Sequence, residues 1–313
     1  MLDTKLNIIR IAGKSIPKWV FFSLLTIILY GLMGVVAKFA SNTVSPLLVQ
    51  VISSFGMSPL LLILFLSRQS TKNEVKDKLT KGVIFSVMVG VLTVVATVAQ
   101  FFAFSKGGPA SIVVPVISLA SLVTVILARY GFKDKLNRYQ LMGVVLSIVA
   151  ILLFNQTGSN GQDISGPWWK NIGSSWMLFS LLSLFAAGTA QLFIKSSTNH
   201  VSSDLVTIIV LSVILMMAVL FIFLPSFSWQ MTYKDLIACI LVGILGSGAF
   251  FTQSIAYSSG KASTVAPLCS LYPVVTVIMS ALFLGENFTA VIFIALIISS
   301  LAGIALSIER KTE

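Results

Sequence analysis

The stretch Trp19-Val-Phe-Phe-Ser-Leu-Leu25 returns in the second half of the chain as Trp176-Met-Leu-Phe-Ser-Leu-Leu182. At the same offset Gly31 pairs with Gly188, Lys38 with Lys195, Asn42 with Asn199 and Val44 with Val201. Further on, Lys81 pairs with Lys234, Gly90 with Gly243 and Gln100 with Gln253, and Ala103-Phe104-Ser105 matches Ala256-Tyr257-Ser258. After a one-residue shift Pro115 pairs with Pro267, Ser118 with Ser270 and Thr124 with Thr276. Apolar segments match by chance through Leu and Val. Matches of Trp, Lys, Gln, Pro and Gly that keep their order over nearly half a chain indicate a duplicated unit.

The unit is built for a membrane. Of 313 residues, 57% are hydrophobic and 10% charged, and the mean hydropathy is +0.99; a soluble domain carries about 25% charged residues. Crossing the hydrocarbon layer takes roughly 20 apolar residues. Runs of that kind fall at 19–40, 44–67, 82–105, 109–130, 137–154, 174–195, 202–224, 234–257, 262–284 and 288–308. Helices are expected, because lipid offers backbone polar groups no partner, and the runs lack the polar alternation of barrel strands. Trp19, Trp168, Trp169, Trp176 and Trp229 stand at or just outside span ends, as an interfacial belt does. A Gly-, Asn- and Ser-rich segment divides the spans into two groups of five. The expected architecture is an all-α membrane protein of ten transmembrane helices. It comprises a tail (1–18), a first five-helix repeat (19–154), an external linker (155–173), a second repeat (174–308) and a tail (309–313).

The net charge of +11 lies in tails and short loops. It forms no basic stripe with interleaved aromatics, which argues against a nucleic-acid partner. With the N-terminus in the cytoplasm, 17 of the 21 Lys and Arg residues lie inside, and Lys38, Lys106, Lys170 and Lys234 lie outside. That bias places both termini in the cytoplasm. Each repeat has an odd number of spans, so the second must enter the membrane from the opposite face. Two inverted half-structures can exchange roles around a central site, the construction of many secondary transporters.

Four motifs carry a family resemblance: Tyr30-Gly31-Leu-Met-Gly34-Val-Val-Ala-Lys38, Ala110-Ser111-Ile-Val-Val-Pro115, Ala262-Ser263-Thr-Val-Ala-Pro267 and Leu284-Gly285-Glu286-Asn-Phe-Thr289. Through them the chain resembles EamA-type members of the drug/metabolite transporter superfamily over residues 19–308. In the first half the Leu-Gly-Glu element degrades to Phe132-Lys133-Asp134. The resemblance implies a central cavity lined by spans 1, 3, 4, 6, 8 and 9, and substrates such as amino acids, sugars or other metabolites.

Candidate residues follow from polarity at membrane depth. Tyr30, Gly34 and Lys38 share one helix face, and Ala187, Gln191 and Lys195 are their counterparts. Ionisable groups in a span mark a pathway by default; near a span end, lysines also snorkel to the headgroups. Thr93, Thr97 and Gln100 form a polar stripe, answered by Gln253 and Tyr257; interhelical hydrogen bonding and cavity lining both suit it. Pro115, Pro267 and Pro273 remove backbone donors within spans and are candidate hinges, with Ser118, Ser270 and Tyr272 nearby. Glu286, in a tight loop before the last span, is read as favouring the start of that helix, and Cys239 and Cys269 as buried free thiols.

All ten acidic residues fall in tails, loops or span ends, which argues against coupling through a mid-membrane carboxylate. There is no phosphate-binding Gly-Lys-Ser/Thr loop and one histidine, His200, so neither a cofactor nor a metal site is expected, nor an enzyme. The function expected is export or exchange of a small polar or amphipathic metabolite by a monomer or homodimer in a bacterial inner membrane. A lipid-directed protein, such as a flippase subunit, or a carrier of anionic phosphorylated metabolites is the alternative.

Overall fold

The computed structural model describes residues 2–3, 8–11, 14–67, 76–132, 137–155, 174–224, 229–260, 265, 268–286, 289–306 and 308. For some of them, Lys195 among these, only the backbone is described. The linker beyond Asn155, the C-terminal tail from residue 309, Asp134, Ala262, Ser263 and Pro267 lie outside the described residues.

The N-terminal tail is not without regular structure. It carries a small antiparallel meander of β1 (Leu2–Asp3), β2 (Ile8–Ile11) and β3 (Lys14–Pro17). Helices follow: α1 (Lys18–Thr43), α2 (Pro46–Gly56), α3 (Ser58–Ser67), α4 (Lys76–Ser105), α5 (Ala110–Ser118), α6 (Ala120–Phe132) and α7 (Arg138–Asn155). The second half gives α8 (Ser175–Thr198), α9 (Ser203–Ile222), α10 (Tyr233–Ser259), α11 (Tyr272–Phe283) and α12 (Ala290–Leu306). α2 and α3 run on through Met57 as one segment and α5 and α6 meet at Leu119 as another, so the twelve helices of the described residues fall into ten segments. Among the described residues six segments are long and apolar enough to cross a membrane: α1, α2 with α3, α4, α8, α9 and α10. Four apolar helices are shorter, Ala110–Thr124, Arg138–Phe154, Tyr272–Phe283 and Ala290–Leu306.

Helix starts are written locally. Pro46 occupies the first turn of α2, where a missing N–H costs nothing. Ser202 accepts from Leu205 N to cap α9, and Thr232 with Asp235 forms a capping box on α10. Many mid-helix Ser and Thr hydroxyls return to a carbonyl one turn back, as Ser147 does to Gly143 and Ser180 to Trp176. A buried hydroxyl with no water near it is satisfied that way.

The two halves interlock. The most extensive helix pairings are α1 with α10 and α4 with α8, and exchanging the halves turns one into the other. The same exchange relates α4·α9 to α2·α10, and α1·α11 to the packing of α8 on α5 and α6; α7 and α12 pair with each other. Single residues obey it too. Val275 lies against Gly31 and Val123 against Gly188, each so close that the glycine has no room for a Cβ. Beside them Thr276 Oγ1 donates to Gly31 O at 3.0 Å, and Thr124 Oγ1 to Gly188 O at 2.7 Å. Ser183 Oγ donates to Ala96 O, while Thr26 meets Thr252, which donates to Ala249 O, the counterpart of Ala96. Thr276→Val and Thr124→Val should each cost about 0.6 kcal/mol, the usual worth of an interhelical hydrogen bond in a membrane protein. Equal and additive losses in a denaturant titration in detergent are expected; a large loss at one site alone would contradict the equivalence of the two.

Candidate functional site

Two breaks at matched positions set up the centre of the bundle. In the first half the helix tightens at Leu119, whose N–H bonds Val116 O at 3.2 Å while its own carbonyl accepts from Leu122 N at 2.8 Å. In the second half Leu271 does the same between Leu268 (3.2 Å) and Val274 (3.0 Å). The break between α5 and α6 follows Pro115 by one turn, and Ser118 Oγ takes up the carbonyl of Pro115 at 2.7 Å. Pro273 sits differently from Pro115. It stands in the first turn of α11, so it opens that helix and does not interrupt one. The break in its span lies just before it, at Ser270 and Leu271.

Against the second break stands a cluster of the candidate residues. Tyr30 Oη donates to Gln253 Oε1 at 3.2 Å, and the rings of Tyr30 and Tyr272 lie 5.6 Å apart, tilted by 50°. One turn from Tyr30, Thr26 and Thr252 share a hydroxyl contact at 2.8 Å. Tyr257 lies one turn beyond Gln253, half-buried in a small cluster with Cys269, Val265, Trp19 and Phe22. The amide nitrogen of Gln253 keeps two donors, in a setting of aromatic faces with no charge among these four side chains. That arrangement suits a polar, uncharged or internally compensated solute part.

The other candidates are placed elsewhere. Thr97 Oγ1 donates to Gln50 Oε1 at 2.6 Å and is committed to the contact between α4 and α2. Gln50, buried in mid-helix and bonded also to Ser54, was not singled out in the sequence, although a glutamine inside an apolar run was the available signal. Gln100 and Gln191 are half-buried on α4 and α8, and Ser270 lies against Gly303 of α12. Lys38, two turns from Tyr30 on α1, donates to Phe104 O at 3.1 Å. For Lys195 the helix α8 fixes the backbone position alone. Cys239 and Cys269 are free and buried. Two grooves lie on the periphery: one of about 570 Å³ along Pro59, Leu62, Phe65 and Ser212, and one of about 620 Å³ along Thr43, Gln230, Lys234 and Asp235.

At three matched positions the bundle's two ends are packed unequally, although other pairs, such as Val44 with Val201 and Ala103 with Ala256, are buried alike. At the distal end, where α1 and α4 finish and α5 and α8 begin, Phe104 is 1% exposed, Met177 0% and Trp176 6%. They belong to a single core that also holds Val44, Leu48, Ala110, Ile112, Phe154, Cys239 and Ile292, and so joins both halves. Their counterparts at the proximal end, Tyr257, Val20 and Trp19, are all half-buried.

Residues 17–156 and 174–308 each match the model of the EamA-like transporter family. The chain belongs to the EamA-like transporter family. It is 27% identical to a probable amino-acid metabolite efflux pump of Salmonella typhimurium, over 86% of this chain and 88% of that one. A probable amino-acid metabolite efflux pump of Escherichia coli is 26% identical over 63% and 67%. The uncharacterized transporter YoaV of Bacillus subtilis is 27% identical over 72% and 74%. A solved crystal structure overlays with a TM-score of 0.60 at 16% identity, covering 92% of this chain and 96% of that one, which shows the shared fold. As an EamA transporter the protein is an integral membrane protein and a carrier of solutes, not an enzyme.

Proposed function

We propose that this EamA transporter is a secondary exporter or exchanger of small polar or amphipathic metabolites such as amino acids, working by alternating access. On this reading the ten segments cross the membrane as two inverted five-helix repeats with both termini in the cytoplasm. The distal end then faces outward and is closed, and the proximal end is the loosened, cytoplasmic one. The observation that carries the reading is the unequal burial of matched residues, Phe104 against Tyr257 and Trp176 against Trp19. A duplicated scaffold that is tight at one end and loose at the other is one of the two states an exchange of halves requires. Tyr30, Gln253, Tyr257 and Tyr272 form the substrate contact, and the breaks at Leu119 and Leu271 let each half pivot. The engagement of Lys38 with Phe104 O favours a neutral or zwitterionic solute over a phosphate ester. The carboxylates with described side chains in helices or at their ends, Asp204, Asp235 and Glu286, all stand at helix termini, which favours exchange or facilitated movement over carboxylate coupling.

The test is efflux from proteoliposomes loaded with labelled amino acids, sugars, nucleosides and phosphate esters, with and without a pH gradient. Selective loss of amino acids, insensitive to the gradient, is expected. Loss of phosphate esters would reverse the charge argument. Retention of every solute by folded protein, with movement of a labelled phospholipid in its place, would transfer the function to lipid.

A further inference from the structure

The first turn of α5 has no cap of its own. Pro109 precedes it, with neither an N–H nor a side chain that bonds, and the amides of Ile112 and Val113 turn back to Pro109 O. The amides of Ala110 and Ser111, both buried, have the carboxylate of Glu286. Oε1 accepts from Ala110 N at 2.7 Å and Oε2 from Ser111 N at 2.8 Å. The glutamate was expected to favour the helix that follows it; it caps one in the opposite half of the chain. Gly285, with φ of +63°, turns the loop after α11 so that Glu286 reaches across. At the other helix end of the α4–α5 turn, Lys38 holds the last turn of α4 through Phe104 O. A cation on the carbonyl end of one helix and an anion on the amide end of the next are the favourable senses for both. The carboxylate therefore clasps, from the second half, the helix start that seals the distal core.

We propose that Glu286 is the gating residue of the distal end: its two hydrogen bonds hold the halves together in the closed state, and each opening of that end requires their release. The proposal rests on the alternating-access reading. Charge-assisted bonds to two buried amides are strong and directional, and a neutral amide offers a single acceptor oxygen in their place. Because α5 lies between the α4–α5 turn and the break at Leu119, freeing its first turn frees a rigid piece of helix, not one residue.

The experiment compares wild-type protein with Glu286→Gln and Glu286→Asp in lipid nanodiscs by amide hydrogen exchange, with thermal unfolding as the folding control. For Glu286→Gln, exchange at Ala110 and Ser111 should rise at least tenfold, and exchange across residues 40–49 should rise with it. Glu286→Asp, which keeps the charge on a shorter arm, should fall between. In proteoliposomes, with the labelled amino-acid mixture as probe, the glutamine variant should show a lower half-saturation from outside and a higher one from inside. Faster exchange confined to Ala110 and Ser111, with both half-saturation values unchanged, would make Glu286 a local cap and overturn the proposal. If wild-type protein moves no solute, the transport reading fails; the spread of exchange across residues 40–49 then still decides whether Glu286 holds this end shut.

Discussion

Gly31→Val and Gly188→Val should each cost about 3 kcal/mol or more, enough to leave little folded protein after extraction. Overpacking a filled interior usually costs 1–3 kcal/mol, and here the added atoms meet something that cannot move aside. At Gly31 the nearest atom is the Cβ of Val275, with the carbonyl of Tyr272 3.1 Å from the added atom; at Gly188 it is the carbonyl of Ala120, with the Cβ of Val123 next. Alanine should already be harmful at both sites. Shortening Val275 to Ala should not rescue Gly31→Ala, since the obstructing Cβ is kept. The measurement is the monodisperse fraction on size-exclusion chromatography after heating steps. A Gly31→Ala variant as heat-stable as wild type would mean that α1 and α11 are further apart than described.

Gln253→Leu should lower turnover at least tenfold in protein that folds normally, a change of about 1.4 kcal/mol in the barrier. Tyr30→Phe should lower it by a few-fold, because the phenol orients Gln253 through one hydrogen bond at 3.2 Å. The double variant should be no slower than Gln253→Leu alone, since two residues acting through one contact do not add. Thr26→Val serves as the comparison: it removes a hydrogen bond of 2.8 Å on the same pair of helices, one turn away. If all three single changes reduce stability alike and leave efflux untouched, the Tyr30–Gln253 contact is only packing between helices.

The apolar helices and the duplication were legible because they rest on long apolar runs and on residues that are rare in lipid. The pairing of Gly31 with Gly188 and of Thr124 with Thr276, seen first in the letters, is a pairing of contacts in space. The breaks at Leu119 and Leu271 were not legible. A leucine carries no signal of a tight turn, and the prolines that attract attention stand four residues earlier. Thr97 was chosen for its depth, but which hydroxyl faces a cavity and which faces a neighbour depends on the partner helix, and Gln50 supplies that partner. Glu286 shows the same limit. A carboxylate just before a span reads as favouring the helix that follows it, but local sequence does not say which helix it reaches, and the one Glu286 caps begins at Ala110.

The exchange of α1·α10 for α4·α8 has a thermodynamic consequence. Were the two halves identical in sequence, the arrangement closed at one end and the arrangement closed at the other would be the same object seen from opposite sides. They would be degenerate, each half-populated. In a carrier that alternates between the two, a preference set within the repeats would reside in the positions where the halves differ, such as Phe104 against Tyr257 or Glu286 against its first-half counterpart Asp134. Each 1.4 kcal/mol of difference shifts the populations tenfold. The direction in which such a carrier rests is then the sum of its departures from its own symmetry, and substituting one residue by its counterpart from the other half reads that sum a term at a time.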